Sequence, residues 1–512
     1  MLAKINSCAV NALQGYRLTV EVDVGVGLSR FEIVGLPDAT VRESRERVRA
    51  AIKNSGFDFP LRHIAVNLAP ADIRKEGPAL DLPMAVGLLA ATGQIDATAH
   101  LAQSAFIGEL SLDGLVRPVE GVLPVADHLA ACPDIKRLFV PEANGAEAGI
   151  AAGLEVIPLH DLFQLTQYLN AQLDIEPVAT DAAAIFAAAS TAHSLDYAEV
   201  RGQGAAKRAL EVAAAGGHNV MMIGPPGSGK TMLARRLPTI MPELSLAESI
   251  ECTKIYSVSG ILPAGQALLT ERPFRAPHHG ASAVSIIGGG GTPRPGEITL
   301  ACHGVLFMDE LPEFRRDVLE ALRQPLEDRI VTVSRASGRA DFPADFVLVA
   351  AMNPCPCGFL GDGLRPCTCT PMQRRRYRSK LSGPLLDRID LHIDVPRVAY
   401  KELTGAPAEE SSAAIRERVR AARQVQARRF TGSSTRVNAR MNRGELEKFC
   451  LLEAEAELLL EAAFGRLRMS ARAHDRILKV SRTIADLAHS DLIAAVHVAE
   501  ALQYRSLDRE EE

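Results

Sequence analysis

The 512-residue sequence has no strong excess of charge and no long apolar run. Its longest apolar stretch, residues 82–92, is interrupted and too short to cross a bilayer, and residues 1–10 lack the apolar core of a signal peptide. A membrane or secreted protein is therefore excluded, and we predict a cytoplasmic protein. The net charge of -5 does not indicate a polyanion partner, so any contact with nucleic acid must come from a local patch.

At this length the chain is expected to form two or three domains. Residues 1–170 alternate β-like and helical runs and indicate an α/β domain, whereas residues 171–191 are rich in alanine, lack periodicity and are predicted to be a linker. Residues 192–400 are predicted to be a nucleotide-binding α/β core and residues 401–442 a connecting helical segment. Residues 443–512 show helical spacing of apolar side chains and are predicted to be a small helical lid.

A glycine-rich segment with the pattern G-x-x-x-x-G-K-T follows the short apolar run at residues 220–223. In such a segment the backbone N–H groups wrap phosphates, the lysine neutralises the β and γ charges, and the threonine hydroxyl binds Mg²⁺. A chance loop is the alternative, but a strand before the segment and a helix after it favour ATP binding. The predicted nucleotide ligands are Gly224, Pro225, Pro226, Gly227, Ser228, Gly229, Lys230 and Thr231.

Two further apolar runs end in polar residues that suit ATP hydrolysis. Residues 305–308 precede Asp309 and Glu310, and residues 346–351 lie just before Asn353. Ligands of open α/β folds bind at the carboxyl edge of the sheet, where these strand ends would meet. We predict that Asp309 holds Mg²⁺, that Glu310 polarises the attacking water and that Asn353 orients this water. A plain turn asparagine is the alternative for Asn353.

Four of the nine cysteines lie in one short stretch, as two C-x-C pairs with a glycine-rich loop between them. In a cytoplasmic protein such clustering indicates a metal sooner than disulfides, and four thiolates suit tetrahedral zinc. The C-x-C spacing is tighter than the usual C-x-x-C, and reduced thiols without a metal are the alternative. The predicted zinc ligands are Cys355, Cys357, Cys367 and Cys369.

The densest basic run of the chain follows these cysteines and includes one tyrosine. Positive side chains and an aromatic ring beside a metal knuckle fit contacts with the backbone of single-stranded nucleic acid. A solvated basic run without a ligand is the alternative. The candidate DNA contacts in this run are Arg374, Arg375, Arg376, Arg378 and Lys380.

The motifs together resemble those of the AAA+ ATPases of the magnesium-chelatase-like branch, near the minichromosome maintenance helicases, and most closely the YifB (ComM) family. Beside the phosphate loop, the resemblance rests on INS at residues 5–7, FEIVGLPD at 31–38, VNLAPAD at 66–72, FMDELPEF at 307–314 and RILKV at 476–480. It implies a homo-hexameric ATPase that translocates on single-stranded and branched DNA and drives branch migration. The same resemblance implies a role in integrating incoming strands during natural transformation and homologous recombination, with recombination proteins as further candidate partners.

The resemblance also assigns two arginines. In this motor class one arginine reaches the γ-phosphate of a neighbouring subunit, and another on the lid reads the nucleotide of its own subunit. Arg388 resembles the first and Arg472 the second. Arg476, one turn later on the same helix face, fits the second role less well. A solvated arginine is the alternative at each position.

Two long insertions in the core carry further candidates. Residues 272–303 contain two adjacent histidines and a glycine run, and residues 331–338 are predicted to form a hairpin with its tip at 336–338. Hairpins of this kind line the pore in the helicase relatives. The resemblance therefore makes Arg335 and Arg339 candidate DNA contacts, with an ordinary exposed hairpin as the alternative.

The first domain resembles the proteolytic domain of Lon, with a hairpin at residues 108–119 and residues 77–79 near the expected nucleophile. Lon uses a Ser-Lys pair, because serine needs a nearby base to become nucleophilic. Ala79 stands at the serine position and Leu123 at the lysine position. We therefore predict a catalytically dead domain that acts as a structural or DNA-facing collar.

The predicted fold is α/β, with a Lon-protease-like (S5-type) α+β amino-terminal domain, an AAA+ P-loop core and a helical lid. The leading function is an ATP-dependent hexameric DNA motor that uses ATP, Mg²⁺ and zinc. The alternative is a chelatase-like AAA+ chaperone motor that remodels a protein or a metal-insertion partner. The Lon-like domain and the cysteine knuckle argue against this alternative, and Ala79 with Leu123 argues against an ATP-dependent protease.

Overall fold

The computed structural model describes residues 1–72, 74–95, 101–189, 194–263, 265–290, 293–335, 338–363, 365–398, 409–466 and 469–505. At residues 335 and 338 it describes the backbone alone. None of the helices in these ranges is both long and apolar enough to cross a membrane.

The first domain is built on a seven-stranded sheet. The strands of the domain are β1 (Leu2–Asn11), β2 (Gln14–Gly25), β3 (Arg30–Val34), β4 (His63–Ala69), β5 (Ser104–Phe106), β6 (Glu109–Leu110), β7 (Val116–Arg117), β8 (Arg137–Pro141) and β9 (Glu155–Leu159). The sheet order is β3-β4-β2-β1-β5-β8-β9, while β6 and β7 form a separate hairpin. The helices of this domain are α1 (Ala39–Asn54), α2 (Asp81–Ala91), α3 (Val122–Ala130), α4 (Gly145–Ala148) and α5 (Leu162–Leu169).

Strand β1 is not among the predicted elements, because Asn6 and Ser7 interrupt its apolar pattern. The structure buries both side chains against β5: the Asn6 amide donates to the Ser104 carbonyl at 3.2 Å, and the Ser7 hydroxyl donates to the Phe106 carbonyl at 2.8 Å. Antiparallel pairing with β2 runs along the whole strand. A polar strand can therefore lie in the middle of the sheet, since its buried polar groups have hydrogen-bond partners.

The second part of the chain contains a parallel five-stranded sheet and two hairpins. The strands are β10 (Val220–Ile223), β11 (Phe274–Arg275), β12 (Gly288–Gly289), β13 (Arg294–Pro295), β14 (Val305–Met308), β15 (Ile330–Arg335), β16 (Gly338–Pro343), β17 (Val347–Met352) and β18 (Leu391–Asp394). The sheet order is β11-β14-β17-β10-β18, and the paired strands are all parallel. The predicted α/β core and the predicted strands at the phosphate loop, before Asp309 and before Asn353 are confirmed.

Helices cover this sheet and continue to the end of the described chain. They are α6 (Ala182–Ala188), α7 (Gly204–Gly216), α8 (Lys230–Ile240), α9 (Leu246–Val258), α10 (Ala283–Ile287), α11 (Glu297–Leu300), α12 (Arg316–Ala321), α13 (Arg323–Asp328), α14 (Pro371–Arg378), α15 (Gly383–Leu386), α16 (Ser412–Arg429), α17 (Arg443–Phe449), α18 (Ala454–Arg466), α19 (Ala471–Leu487) and α20 (Ala495–Gln503). Helix α6 falls in the segment predicted as the linker, and none of its residues is buried. Residues 190 and 191 of that segment, and residues 192 and 193 after it, lie outside the described residues.

The carboxyl-terminal helices confirm the predicted helical region. In α19 the predicted apolar face is buried, with Ile477, Val480 and Ile484 each at most 2% exposed. Helix α16, placed in the connecting segment, packs against α7 and α8 of the core, where the Gln426 amide donates to the Ala215 carbonyl at 3.0 Å. The connecting segment is therefore part of the core packing rather than a spacer.

The first domain contacts the second part of the chain through α3 and α9. Lys254 lies 2.7 Å from Asp127, and the Ser257 hydroxyl donates to the buried Glu147 carboxylate. Burial raises the pKa of Glu147, and the hydrogen bond from Ser257 opposes that shift. This contact fixes where the first domain sits relative to the nucleotide-binding core.

Candidate functional site

The phosphate loop connects the carboxyl end of β10 to the start of α8. The backbone at Gly224 passes close to the residue that follows β18, so that a Cβ on Gly224 would lie 2.1 Å from the Val395 carbonyl oxygen. Only glycine fits such a contact. The Gly224 N–H donates to the Met352 carbonyl at 3.2 Å, which ties the loop to the end of β17 as well.

Lys230 and Thr231 open helix α8, as the predicted phosphate-binding pattern requires. The Lys230 ammonium donates to the carbonyls of Gly224 at 2.7 Å and Pro225 at 3.0 Å. Burial lowers the pKa of Lys230, while the charges of Asp309 and Glu310 act in the opposite direction. The loop therefore carries a buried positive group at a helix N-terminus, an arrangement suited to phosphate.

Asp309 and Glu310 follow β14 at the same edge of the sheet. The Thr231 hydroxyl donates to Asp309 Oδ2 at 2.9 Å, so the two groups predicted to hold Mg²⁺ are in direct contact. Glu310 has a left-handed backbone with φ of 52° and a side chain that is 52% exposed. The structure thus brings the predicted magnesium ligands together and leaves the Glu310 carboxylate accessible to a reacting water.

Two neighbouring strands supply the remaining groups of this edge. Asn353 follows β17, which lies between β14 and β10, so its position is next to the phosphate loop as predicted. His279 follows β11 on the other side of β14, and its Nδ1 lies 3.4 Å from Glu310 Oε2. The sequence did not lead us to predict that His279 contacts Glu310. Its position shortly after β11, the strand next to β14, could have indicated this contact.

Arg388 lies at the opposite edge of the sheet. It precedes β18, and the neighbouring Asp390 N–H donates to the carbonyl of Asn219, the residue just before β10. The Arg388 side chain hydrogen-bonds Glu327 and the Pro384 carbonyl. Four strand residues, about 13 Å, separate this edge from the phosphate loop of the same chain.

Arg472, predicted to read the nucleotide of its own subunit, lies towards the same amino edge. The hydrogen bond from Arg388 lowers the pKa of Glu327, and the nearby charges of Arg472 and Arg476 lower it further. Arg472 is exposed at the start of α19 and lies one turn from Arg476. Because this end of α19 packs at the amino edge, the structure does not bring Arg472 to the nucleotide site of its own chain.

Arg476 is held in a buried polar cluster beneath this edge. It lies 3.4 Å from Asp390, whose other carboxylate oxygen is 3.2 Å from His218 Nδ1. Burial disfavours the Asp390 carboxylate, but His218, Arg476 and Lys479 outweigh burial and lower its pKa to about 2. Arg476 therefore forms a buried ion pair with Asp390. The sequence had already favoured Arg472 over Arg476 as the arginine that reads the nucleotide.

The four cysteines converge on one point. The Sγ atoms of Cys355, Cys357 and Cys367 lie 3.3, 3.6 and 3.7 Å from one another, and those of all four cysteines lie within 4.8 Å. Four thiolates around zinc at about 2.3 Å require sulfur–sulfur distances of about 3.8 Å, so the cluster fits the ion. Backbone hydrogen bonds from Phe359 and Thr368 lower the pKa of Cys357, whereas in Cys367 and Cys369 a backbone hydrogen bond is outweighed by desolvation and by the neighbouring thiols, which raise the pKa of both. Zinc ligation would offset this rise, because the thiolate is the ligating form.

The basic run forms helix α14 directly after the cysteines. Thr370 and Gln373 form a capping box at its start, and Pro371 occupies the first turn, which explains why so charged a segment is helical. Arg375 and Arg376 are exposed, whereas Tyr377 is only 6% exposed. The expectation that this aromatic ring contacts nucleic acid is wrong, because the ring packs into the core.

The other DNA candidates lie on the hairpin of β15 and β16. Arg339 is exposed and lies 3.3 Å from Asp341 of its own strand. Residues 336–337 at the predicted tip and the side chain of Arg335 lie outside the described residues. Arg339 also lines a cleft of about 500 Å³ between the hairpins and the first domain.

That cleft contains the position predicted for the lost protease nucleophile. Ala79 lies at its wall, in a short 3₁₀ turn. Leu123 is 1% exposed, and its N–H donates to Glu147 at 2.9 Å, so its side chain is core rather than site. Neither position offers the hydroxyl or amine that the Lon mechanism requires.

Comparisons with known proteins agree with these motifs. Residues 196–403 match the family described as magnesium chelatase, subunit ChlI, residues 20–144 the family of subunit ChlI of Mg-chelatase, and residues 409–505 its C-terminal family. The competence protein ComM of Haemophilus influenzae is 45% identical over 99% of this chain and 98% of its own length. The YifB proteins of Escherichia coli and Salmonella typhimurium are 43% and 42% identical, each over 99% of this chain and 98% of their own length. The chain therefore belongs to the ComM/YifB family of magnesium-chelatase-like AAA+ proteins.

Proposed function

We propose that the chain is one subunit of a hexameric, ATP-hydrolysing motor that moves on single-stranded and branched DNA. The observation that carries this proposal is the separation of two sets of groups to opposite edges of one parallel sheet. Lys230, Asp309, Glu310 and Asn353 lie at the carboxyl edge, and Arg388 lies at the amino edge. A complete hydrolysis site then needs two subunits.

The carboxyl edge supports ATP hydrolysis. Lys230 and the loop N–H groups bind the phosphates, while Thr231 and Asp309 would hold Mg²⁺, an ion that neutralises charge on the transferred phosphoryl group. Glu310 accepts a proton from the attacking water, and Asn353 orients that water. His279 holds the Glu310 carboxylate from the neighbouring strand.

The amino edge supports assembly into a ring. Arg388 hydrogen-bonds Glu327, and the charge of Arg472 acts on the same carboxylate. We infer that both arginines meet the γ-phosphate of a neighbouring subunit rather than their own. Closed rings arise when such a head-to-tail contact repeats with rotation. We infer a homo-hexamer from the resemblance to hexameric AAA+ motors.

DNA as the load is supported by a relative and by one surface. The relative from Haemophilus influenzae is named as a competence protein. In this chain the arginines of α14 extend beside the metal knuckle, and Arg339 lies on a core hairpin. These groups suit phosphate contacts. The proposed setting is branch migration and strand integration during natural transformation and homologous recombination.

The experiment is ATP hydrolysis by the full chain with no DNA, with single-stranded DNA and with a forked duplex, together with displacement of a labelled strand. Forked or single-stranded DNA should stimulate hydrolysis, and strand movement should require ATP. Lys230→Ala should abolish nucleotide binding, and Glu310→Gln should keep binding but lose turnover. Hydrolysis that ignores DNA, with no strand moved, would contradict the proposed function.

A chelatase-like motor that remodels a protein or metal-insertion partner is the second candidate. It is favoured by the family matches, which carry the name of a magnesium chelatase subunit. The same assay separates the two proposals. A remodelling motor would hydrolyse ATP at a rate that responds to a protein partner and not to forked DNA.

The cysteine knuckle and the first domain complete the proposal. Cys355, Cys357, Cys367 and Cys369 would hold zinc as a structural ion. The first domain acts as a collar without protease activity, since Ala79 and Leu123 replace the catalytic pair. Metal analysis of the purified chain should give about one zinc per subunit.

A further inference from the structure

The cysteine knuckle, residues 355–369, lies directly on the phosphate loop. Gly358 is buried, with φ of +83°, and a Cβ there would lie 2.7 Å from Pro226 Cδ and 2.9 Å from Pro226 Cγ. Contacts that short leave no room for even one methyl group. Pro226 of the phosphate loop is therefore packed against the backbone of the knuckle.

The start of the knuckle and the helix that follows it both lie beside Asn353. Cys355 is buried and follows Asn353 by two residues, so the first metal ligand and the water-orienting residue share one short turn. Beyond the last cysteine, Tyr377 of α14 is buried in the core beside Asn353: burial raises the pKa of Tyr377, and the backbone of Asn353 acts in the opposite direction. The knuckle thus begins beside Asn353, and the helix after it returns to the same site residue.

A third contact links the knuckle to the strand on the far side of the phosphate loop. Arg397 lies 2.6 Å from Asp362, whose side chain is fully buried. Arg397 follows β18, and Val395 just before it donates its N–H to the Ile223 carbonyl at 2.7 Å. The knuckle therefore reaches from the end of β17 across the phosphate loop to the exit of β18.

We propose that the metal-bound knuckle is a positioning element of the ATP site, which holds Pro226 and Asn353 in place for nucleotide. The described residues between Cys355 and Cys369 contain no helix or strand, so four metal–sulfur bonds would supply the order that hydrogen bonds do not. The inference rests on the proposed ATP site and on zinc at the four cysteines, and it assigns the knuckle a role that does not depend on DNA.

Three glycines of the knuckle provide a matched test. Gly358, Gly361 and Gly363 all have positive φ, at +83°, +77° and +69°, so alanine is strained at each of them. Only Gly358 faces Pro226, because nothing lies within 4 Å of a Cβ at Gly361 or Gly363. A difference between Gly358→Ala and the two controls therefore reports the contact with the phosphate loop and not backbone strain.

The measurement is the dissociation constant of a fluorescent ATP analogue for the full chain without DNA, together with kcat and zinc content. Gly358→Ala should weaken nucleotide binding about tenfold, while Gly361→Ala and Gly363→Ala should stay within about twofold of the parent. Adding Pro226→Ala to Gly358→Ala should recover part of the loss, because it removes the clashing ring atoms. Zinc content should be equal in all of these variants.

Removal of zinc by a chelator, or Cys357→Ser, should weaken nucleotide binding to the same extent as Gly358→Ala. The inference is overturned if Gly358→Ala equals its two glycine controls, or if the zinc-free chain binds nucleotide as tightly as the zinc-loaded chain. A Lys230→Ala variant that still binds nucleotide would instead overturn the proposed ATP site. The two failures are therefore distinguishable.

Discussion

The two edges of the five-stranded sheet differ in what their polar groups do. At the carboxyl edge Lys230, Thr231 and Asp309 already contact one another or the loop within one chain. At the amino edge Arg388 hydrogen-bonds Glu327, whose pKa the charge of Arg472 also lowers, and the phosphate loop of the same chain lies at the opposite edge. The carboxyl edge carries the phosphate loop and the magnesium ligands without the two arginines, and the amino edge carries the two arginines without a phosphate loop. In the proposed ring, each subunit would complete the site of its neighbour.

Arg388→Ala should have the largest effect on this arrangement. Removing an arginine that stabilises phosphoryl transfer from a neighbouring subunit should lower kcat for ATP hydrolysis by about 10³-fold or more, with ATP binding retained. A mixture of Arg388→Ala and Glu310→Gln subunits should recover activity that neither has alone, because some interfaces then contain both native groups. No recovery in the mixture would show that both residues act within one subunit.

Arg472→Ala should lower kcat by about 10²-fold, since it removes one charge from the same neighbouring site. Mixing it with Glu310→Gln should also restore activity if Arg472 works across the interface. If Arg472 reads its own nucleotide, the mixture stays inactive, because no subunit then carries both native groups. Arg476→Ala is the structural control and should mainly lower the unfolding midpoint through loss of its pair with Asp390.

Asp390→Asn tests the buried cluster that supports the amino edge. The pKa of Asp390 is about 2 in the folded chain and about 3.9 in an unfolded chain. The charge of Asp390 therefore stabilises the fold fully at pH values above about 3.9, and this stabilisation is lost as the pH falls towards 2. At pH 7 the variant should lose about 2–3 kcal/mol in the free energy of unfolding, and the difference should shrink as the pH falls from about 5 towards 2. Denaturant unfolding at several pH values measures the difference.

The matched control is Glu447→Gln, a carboxylate that is 71% exposed in an ion pair with Arg443. Its effect on unfolding should be near zero at every pH. A pH-independent gap between parent and Asp390→Asn would contradict a stabilising charge at Asp390.

The smallest expected effect concerns the basic helix beside the carboxyl edge. Replacing both Arg375 and Arg376 by alanine should reduce the slope of log affinity for single-stranded DNA against log salt by about 1.4, since each phosphate contact contributes about 0.7 on a single strand. Arg443→Ala, whose side chain is 88% exposed on the lid, should leave the slope unchanged. Equal slopes for all three proteins would remove α14 from the DNA path.

Much of the ATP site could be predicted because its residues are contiguous or end apolar strands. The phosphate loop, Asp309, Glu310 and Asn353 all follow short buried strands, and the parallel sheet brings their ends to one edge. His279 and strand β1 escaped prediction for a common reason. In each case a polar residue gains its place from a partner far along the chain, Glu310 for His279 and Phe106 for Ser7.

The arginines and the basic run show the limit more sharply. Helical spacing places Arg472 and Arg476 on one face of α19, but it does not say which edge of the sheet that end of the helix meets. The Asp390 pair decides this, and it moves Arg472 away from its own nucleotide site. Likewise Tyr377 looks like a base-stacking ring within a basic run until the fold buries it beside Asn353.

The sequence by itself determined the chemistry that each short segment can perform: phosphate binding at Gly224 to Thr231, hydrolysis at Asp309 and Glu310, and four thiols at spacing suited to zinc. These follow from residue type and local order, since loop and strand ends carry their own backbone geometry. Only the tertiary structure decided which of these segments act together. Long-range packing sets Arg388 and Arg472 opposite their own phosphate loop and seats Gly358 on Pro226, because such contacts join residues that no local pattern connects.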